Sequence, residues 1–85
     1  MLGRVATNSA VQQCAREAEA GFAATGIPRD ELLERLGAHA AIAPCLAAYS
    51  GRTADNRRNL LDGYLRAALD DSILYDVGEG RLLPT

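Results

Sequence analysis

Two cysteines, Cys14 and Cys45, and one histidine, His39, are the only thiols and imidazole in this 85-residue sequence. A structural zinc site needs four ligands, commonly Cys or His, and three such residues without Cys-x-x-Cys spacing fall one short. No metal site is expected, and the two thiols read as small buried apolar groups of a reducing compartment, with a disulfide between them open only on export. A cysteine nucleophile needs a base at hand, and His39 lies six residues before Cys45, about 240° away around a continuous helix. Only a chain break at Pro44 would bring them together. A lone histidine reads instead as a partly buried polar residue or a helix-end partner, so no enzyme and no cofactor are expected.

All nine basic residues are arginine. The absence of lysine excludes a Schiff-base enzyme and a Walker-type phosphate loop, and Gly78-Glu79-Gly80 lacks both a third glycine and a following helix. Two charged clusters are left as binding candidates. Arg52, Asn56, Arg57 and Arg58 surround an expected helix start, where free amides and the helix dipole favour an anion such as a phosphate or a partner's carboxylate. The competing reading is a solvated first turn in which Asp55 and Asp62 neutralise the arginines. Asp70, Asp71, Asp76 and Glu79 follow at the far end of the same helix. Acids there oppose the dipole, so their reason lies outside the helix, either in a basic partner or in keeping a hydrophobic terminus soluble.

Composition bounds the elements that must carry these residues. With 48% hydrophobic and 24% charged residues the chain reads as one folded domain over 1–85, and its length gives only a thin core. Sixteen Ala and twelve Leu against three Tyr, one Phe and no Trp favour helices. Eleven acids against nine arginines give a net charge of −2, which disfavours nucleic acid except through a local patch. The uncharged runs are shorter than the roughly 20 apolar residues of a membrane span. No secretory signal is read at the start, and the expected location is cytoplasmic.

The spacing predicts a mainly α fold, a small bundle of three or four short helices with a C-terminal β-hairpin. Leu2 to Thr7 reads as an extended lead-in, and Ser9 with Gln12 as a capping box that starts a first helix near Ala10 and lets it run toward Gly26. Pro28 to Leu36 reads as a second helix with Asp30 and Glu31 in its first turn and Gly37 as C-cap. Ala38 to Ser50 carries no charge and reads as a buried or subunit-facing segment, a turn followed by a helix from Pro44 to Tyr49. Thr53 opens the longest helix, to about Ser72, with Arg58, Asp62, Arg66 and Asp70 as an i,i+4 ladder. From Ile73 the pattern alternates around Gly78-Glu79-Gly80, which gives the hairpin, with Leu2 to Thr7 as one option for a third strand.

Asp30 to Cys45 also has the lengths of a helix-turn-helix, but Ala40, Ala41, Ile42, Ala43, Pro44 and Cys45 offer nothing that reads a base edge. By elimination the expected function is binding. The expected protein is a small module that inhibits or regulates a larger protein, as antitoxins, immunity proteins and anti-CRISPR proteins do. Its contact would be one of the two charged clusters around a hydrophobic centre of Tyr64, Tyr75 or Leu82. The alternative is a small DNA-binding transcriptional regulator that homodimerises through Ala38 to Tyr49.

Overall fold

The computed structural model describes residues 3–48 and 54–85. Helix α1 spans Arg4–Phe22, strand β1 Ile27–Pro28, α2 Arg29–Ala38, α3 Ala43–Ala48, α4 Ala54–Asp70, and strands β2 and β3 Leu74–Gly78 and Arg81–Pro84. The fold is therefore mainly α: among the described residues, four helices accompany a small antiparallel sheet in the order β1-β3-β2.

The first helix starts at Arg4, not near Ala10, and Ser9 sits inside it rather than capping it. Two features favour the early start. Thr7, the buried polar residue of the described chain, satisfies its hydroxyl by donating to the Arg4 carbonyl at 3.1 Å, and Arg4 itself is anchored to α4. So the lead-in is helix from Arg4 onward and supplies no strand. The third strand is Ile27–Pro28, paired to β3 with Ile27 opposite Leu82. Pro28 sits at the N-cap of α2 rather than in its first turn.

Gly37 lies within α2 rather than capping it. A Cβ there would stand 3.5 Å from Leu61 Cδ1 and 3.6 Å from Leu46 Cδ1, so the glycine lets α3 and α4 approach α2 closely. The helix ends when the His39 amide donates to the Leu36 carbonyl at 3.1 Å, a tightened last turn. In the hairpin Glu79 and Gly80 have φ of 56° and 72° between paired Gly78 and Arg81, the geometry of a two-residue primed turn.

The core is aliphatic. Val11, Ala15 and Ala18 of α1 meet Ile27, Leu32, Leu36, Ile42, Leu65, Ala68, Leu74 and Leu82. Phe22 and Tyr64 pack only partly against it. Among the described residues of the uncharged segment Ile42 alone is fully buried, Leu46 is half-buried, and Ala40, Ala41, Pro44, Ala47 and Ala48 are exposed. Of the two readings of this segment, burial between the other elements is thus corrected for its described residues. One large anchor, Ile42, fixes it, and a six-residue helix has too few turns to bury more than one side. Tyr49 to Thr53, including the expected cap Thr53, lie outside the described residues.

Gly26 closes the turn from α1 into β1 at φ +89°, where a Cβ would strike Val77 Cγ2 and stand 2.9 Å from Arg81 Cβ. Gly26→Ala should therefore destabilise the protein by about 2–3 kcal/mol through positive-φ strain plus overlap. Gly63 in α4 has open space around its Cβ direction, so Gly63→Ala should stabilise by about 0.5–1 kcal/mol. Urea denaturation of the two variants checks both signs.

Candidate functional site

The charges flagged by sequence are drawn into cross-links between helices. Arg58 of α4 pairs with Asp30 in the first turn of α2, and Asp62 accepts from Arg29 Nη2 at 3.0 Å and Nε at 3.1 Å. The α4 ladder is thereby corrected, because its first two members bond across to α2 instead of along their own helix. Asp62 also does not neutralise the arginine patch. Arg35 with Glu31, at 3.1 Å, is the i,i+4 pair that does form. Such half-exposed pairs contribute about 0–1 kcal/mol each and serve chiefly to set how helices lie.

The arginine cluster is therefore only partly available. Arg52 lies outside the described residues, Arg58 is engaged by Asp30, and Asn56 and Arg57 are exposed. Arg57 forms no ion pair among the described residues and lines, with Asp30, Leu33, Glu34 and Leu61, an open cleft between α2 and α4 of about 520 Å³. Opposite charges on its two walls give it no net preference for an anion.

The acidic cluster is divided. Asp71 accepts from Arg4 Nε at 2.6 Å, Arg4 Nη2 at 2.9 Å and Asn8 Nδ2 at 2.6 Å, while Arg4 also reaches the Ala67 carbonyl at 3.4 Å. The reason for an acid at this helix end is thus the start of α1. These hydrogen bonds from Arg4 and Asn8 lower the Asp71 pKa below the usual aspartate range. Asp76 Oδ1 accepts the Gly78 amide at 2.6 Å, Glu79 sits in the hairpin turn, and Asp70 is exposed at the end of α4. Of the proposed hydrophobic centres, Leu82 is core at 1% exposure, whereas Tyr64 is half-buried and Tyr75 exposed.

His39 and Cys45 do not form a catalytic pair. The His39 Nδ1 accepts the Ala41 amide at 3.0 Å, which leaves the proton on Nε2, 2.8 Å from Gln13 Oε1. Both ring nitrogens are engaged in tying the α2–α3 turn to α1. The Cys45 thiol is directed at the Ala41 carbonyl, 3.8 Å away. Among the described residues no three His, Cys, Asp or Glu side chains are grouped to hold a metal ion, and no helix is long and apolar enough to cross a membrane.

What remains is an apolar groove of about 300 Å³ between α3 and α4, lined by Pro44, Cys45, Ala48, Leu60 and Tyr64. Partial burial in this groove, more than the neighbouring Cys45, pushes the Tyr64 hydroxyl pKa up. Exposed Ala47 on α3 and Ala41 in the turn before it extend the uncharged surface. The sequence did not single out Leu60, whereas Pro44, Cys45 and Ala48 lie in the run read as buried or subunit-facing. The signal was present, since an uncharged run cut by proline into a very short helix has more apolar surface than it can bury. No protein-family model, no characterised protein and no solved structure matches the chain.

Two outcomes follow from this geometry. A carboxylate whose folded pKa is lowered stabilises the fold above its unfolded pKa and loses that contribution as pH falls through the folded value. Wild type should melt higher than Asp71→Asn at neutral pH, and the gap should close in acid below the usual aspartate range; a gap that persists there contradicts the Arg4–Asn8–Asp71 clasp. Cys14 is 3% exposed and its pKa is raised, first by burial. Iodoacetamide should therefore modify Cys45 in the native protein and Cys14 only after unfolding, as read by mass spectrometry.

Proposed function

We propose that this chain is a small non-enzymatic protein-binding module that inhibits or regulates a larger protein by occupying its surface. The observation that carries the reading is the uncharged α3 surface with the α3–α4 groove, an exposed apolar concavity on a chain in which Arg58 and Asp71 of the charged clusters are paired within the fold. Apolar grooves of this kind take a hydrophobic anchor from a partner, and such anchors carry most of the binding energy of an interface. Tyr64 supplies the amphipathic wall, while the small Ala47 and Ala48 let a partner backbone come close. The binding-module reading also accounts for the thin core, because a domain that does no chemistry needs only to hold one surface in shape.

The test is the pair Ala48→Glu and Arg66→Glu. Both positions are exposed, so stability should change by no more than about 0.5 kcal/mol. A protein captured stoichiometrically by the wild-type chain from nuclease-treated lysate of its source organism should be bound at least about tenfold more weakly by Ala48→Glu and equally by Arg66→Glu. Undiminished binding by Ala48→Glu contradicts the groove. Tight, steeply salt-dependent DNA binding by the wild type would instead favour the transcriptional regulator.

A further inference from the structure

The two edges of the sheet differ in a way that singles out one of them. The β1 edge is two residues long and includes Pro28, which has no amide to donate. The β2 edge is five residues long, and among the described residues only its β3 side is paired. Tyr75 to Gly78 are all exposed, with Tyr75 at 47% and Val77 at 41%. Natural proteins blunt an open edge with charged side chains, proline, a bulge or a covering element. Here a bulge between Asp76 and Gly78 ends the regular pairing, which leaves Leu74 to Asp76 as a short open template.

The charge around this template has one sign. Residues 70–79 contain four acids and no base. Arg4 holds Asp71, but Asp76 and Glu79 form no ion pair among the described residues, and the nearby Arg81 guanidinium donates to the Gly26 carbonyl at 3.1 Å. Antiparallel pairing with a second copy of β2 would gather two segments of like charge at one seam, which is unfavourable. A strand carrying cations meets the opposite situation.

We propose that the outer edge of β2 is a docking site for an extended segment of a partner protein that alternates apolar and basic residues. It would add as a fourth strand, with backbone hydrogen bonds to Leu74–Asp76, apolar side chains beside Tyr75 and Val77, and Lys or Arg near Asp76 and Glu79. The proposal rests on the reading of the chain as a protein-binding module but uses a surface separate from the α3–α4 groove.

The probe is an end-blocked synthetic peptide of alternating lysine and valine, titrated into isotope-labelled protein and followed by amide NMR. The expected result is saturable shifts and slowed amide exchange centred on residues 74–76. Binding should weaken about tenfold in Asp76→Asn/Glu79→Gln, a variant whose Asn retains an acceptor for the Gly78 amide. A peptide N-methylated on its pairing edge should bind no better than a glutamate-valine peptide. Shifts confined to the helices, equal binding by the N-methylated or acidic peptide, or sedimentation showing that β2 pairs with its own copy would each overturn the proposal. Because Ala48→Glu leaves β2 intact, it should bind the peptide as wild type does, which separates failure here from failure of the groove.

Discussion

Everything in this fold depends on covering one aliphatic stripe of α1. Val11, Ala15 and Ala18 are essentially inaccessible, and α2, α4 and the sheet each supply the residues that enclose them. Full burial of a Val, Leu or Ile side chain contributes about 1.5–3 kcal/mol, so Ile27, Leu32, Leu36, Ile42, Leu65, Leu74 and Leu82 form the set that carries the fold. Alanine on the central helix lets its neighbours close in without large gaps, and no aromatic ring is needed at the centre. Small domains have few such residues, which makes each connection that orders them significant.

The polar interactions serve that packing. Arg4 and Asn8 fasten the start of α1 to Asp71 at the end of α4, Arg29 and Asp30 join α2 to Asp62 and Arg58, and His39 ties the turn before α3 to Gln13. Residues that look like a binding patch when read along the chain are in several cases fasteners between elements distant in sequence. With those charges turned to one another, the α3–α4 groove and the open edge of β2 stand out as surfaces that the fold leaves uncovered. This distribution fits recognition of another protein better than recognition of a phosphate backbone.

The sequence made the helical class and the C-terminal hairpin legible, because Ala- and Leu-rich periodicity and a glycine turn are local signals. Boundaries were less legible where tertiary partners decide them. The helical state of Arg4 to Ser9 depends on Asp71, more than sixty residues away, and the strand state of Ile27–Pro28 depends on Leu82 and Arg81. Gly37 carried a cap signal, yet the close approach of Leu61 and Leu46 explains it. The site was legible only in part. Tyr64 and Tyr75, named as hydrophobic centres, lie in the groove and on the exposed strand, whereas Asp71 and Arg58, singled out for a partner, are paired within the fold. Asp76 is bound within its own hairpin. Pro44 and Ala48 lay in the run read as buried or subunit-facing, whereas Leu60 was not singled out, because periodicity alone does not mark an apolar residue as exposed.

On the proposed function, the uncharged α3 surface and its groove are the main contact with the regulated protein, rather than the arginine cluster or the end of α4. Hydrogen–deuterium exchange of the chain, free and in its stoichiometric complex, tests this most directly because it reports contact on every segment at once. The account predicts added protection over residues 43–48 and 60–64, with the start of α2 unchanged. Protection that leaves α3 and the Leu60–Tyr64 stretch as they are in the free protein, and falls instead on Arg57 and Arg58 or on the end of α4, would contradict it.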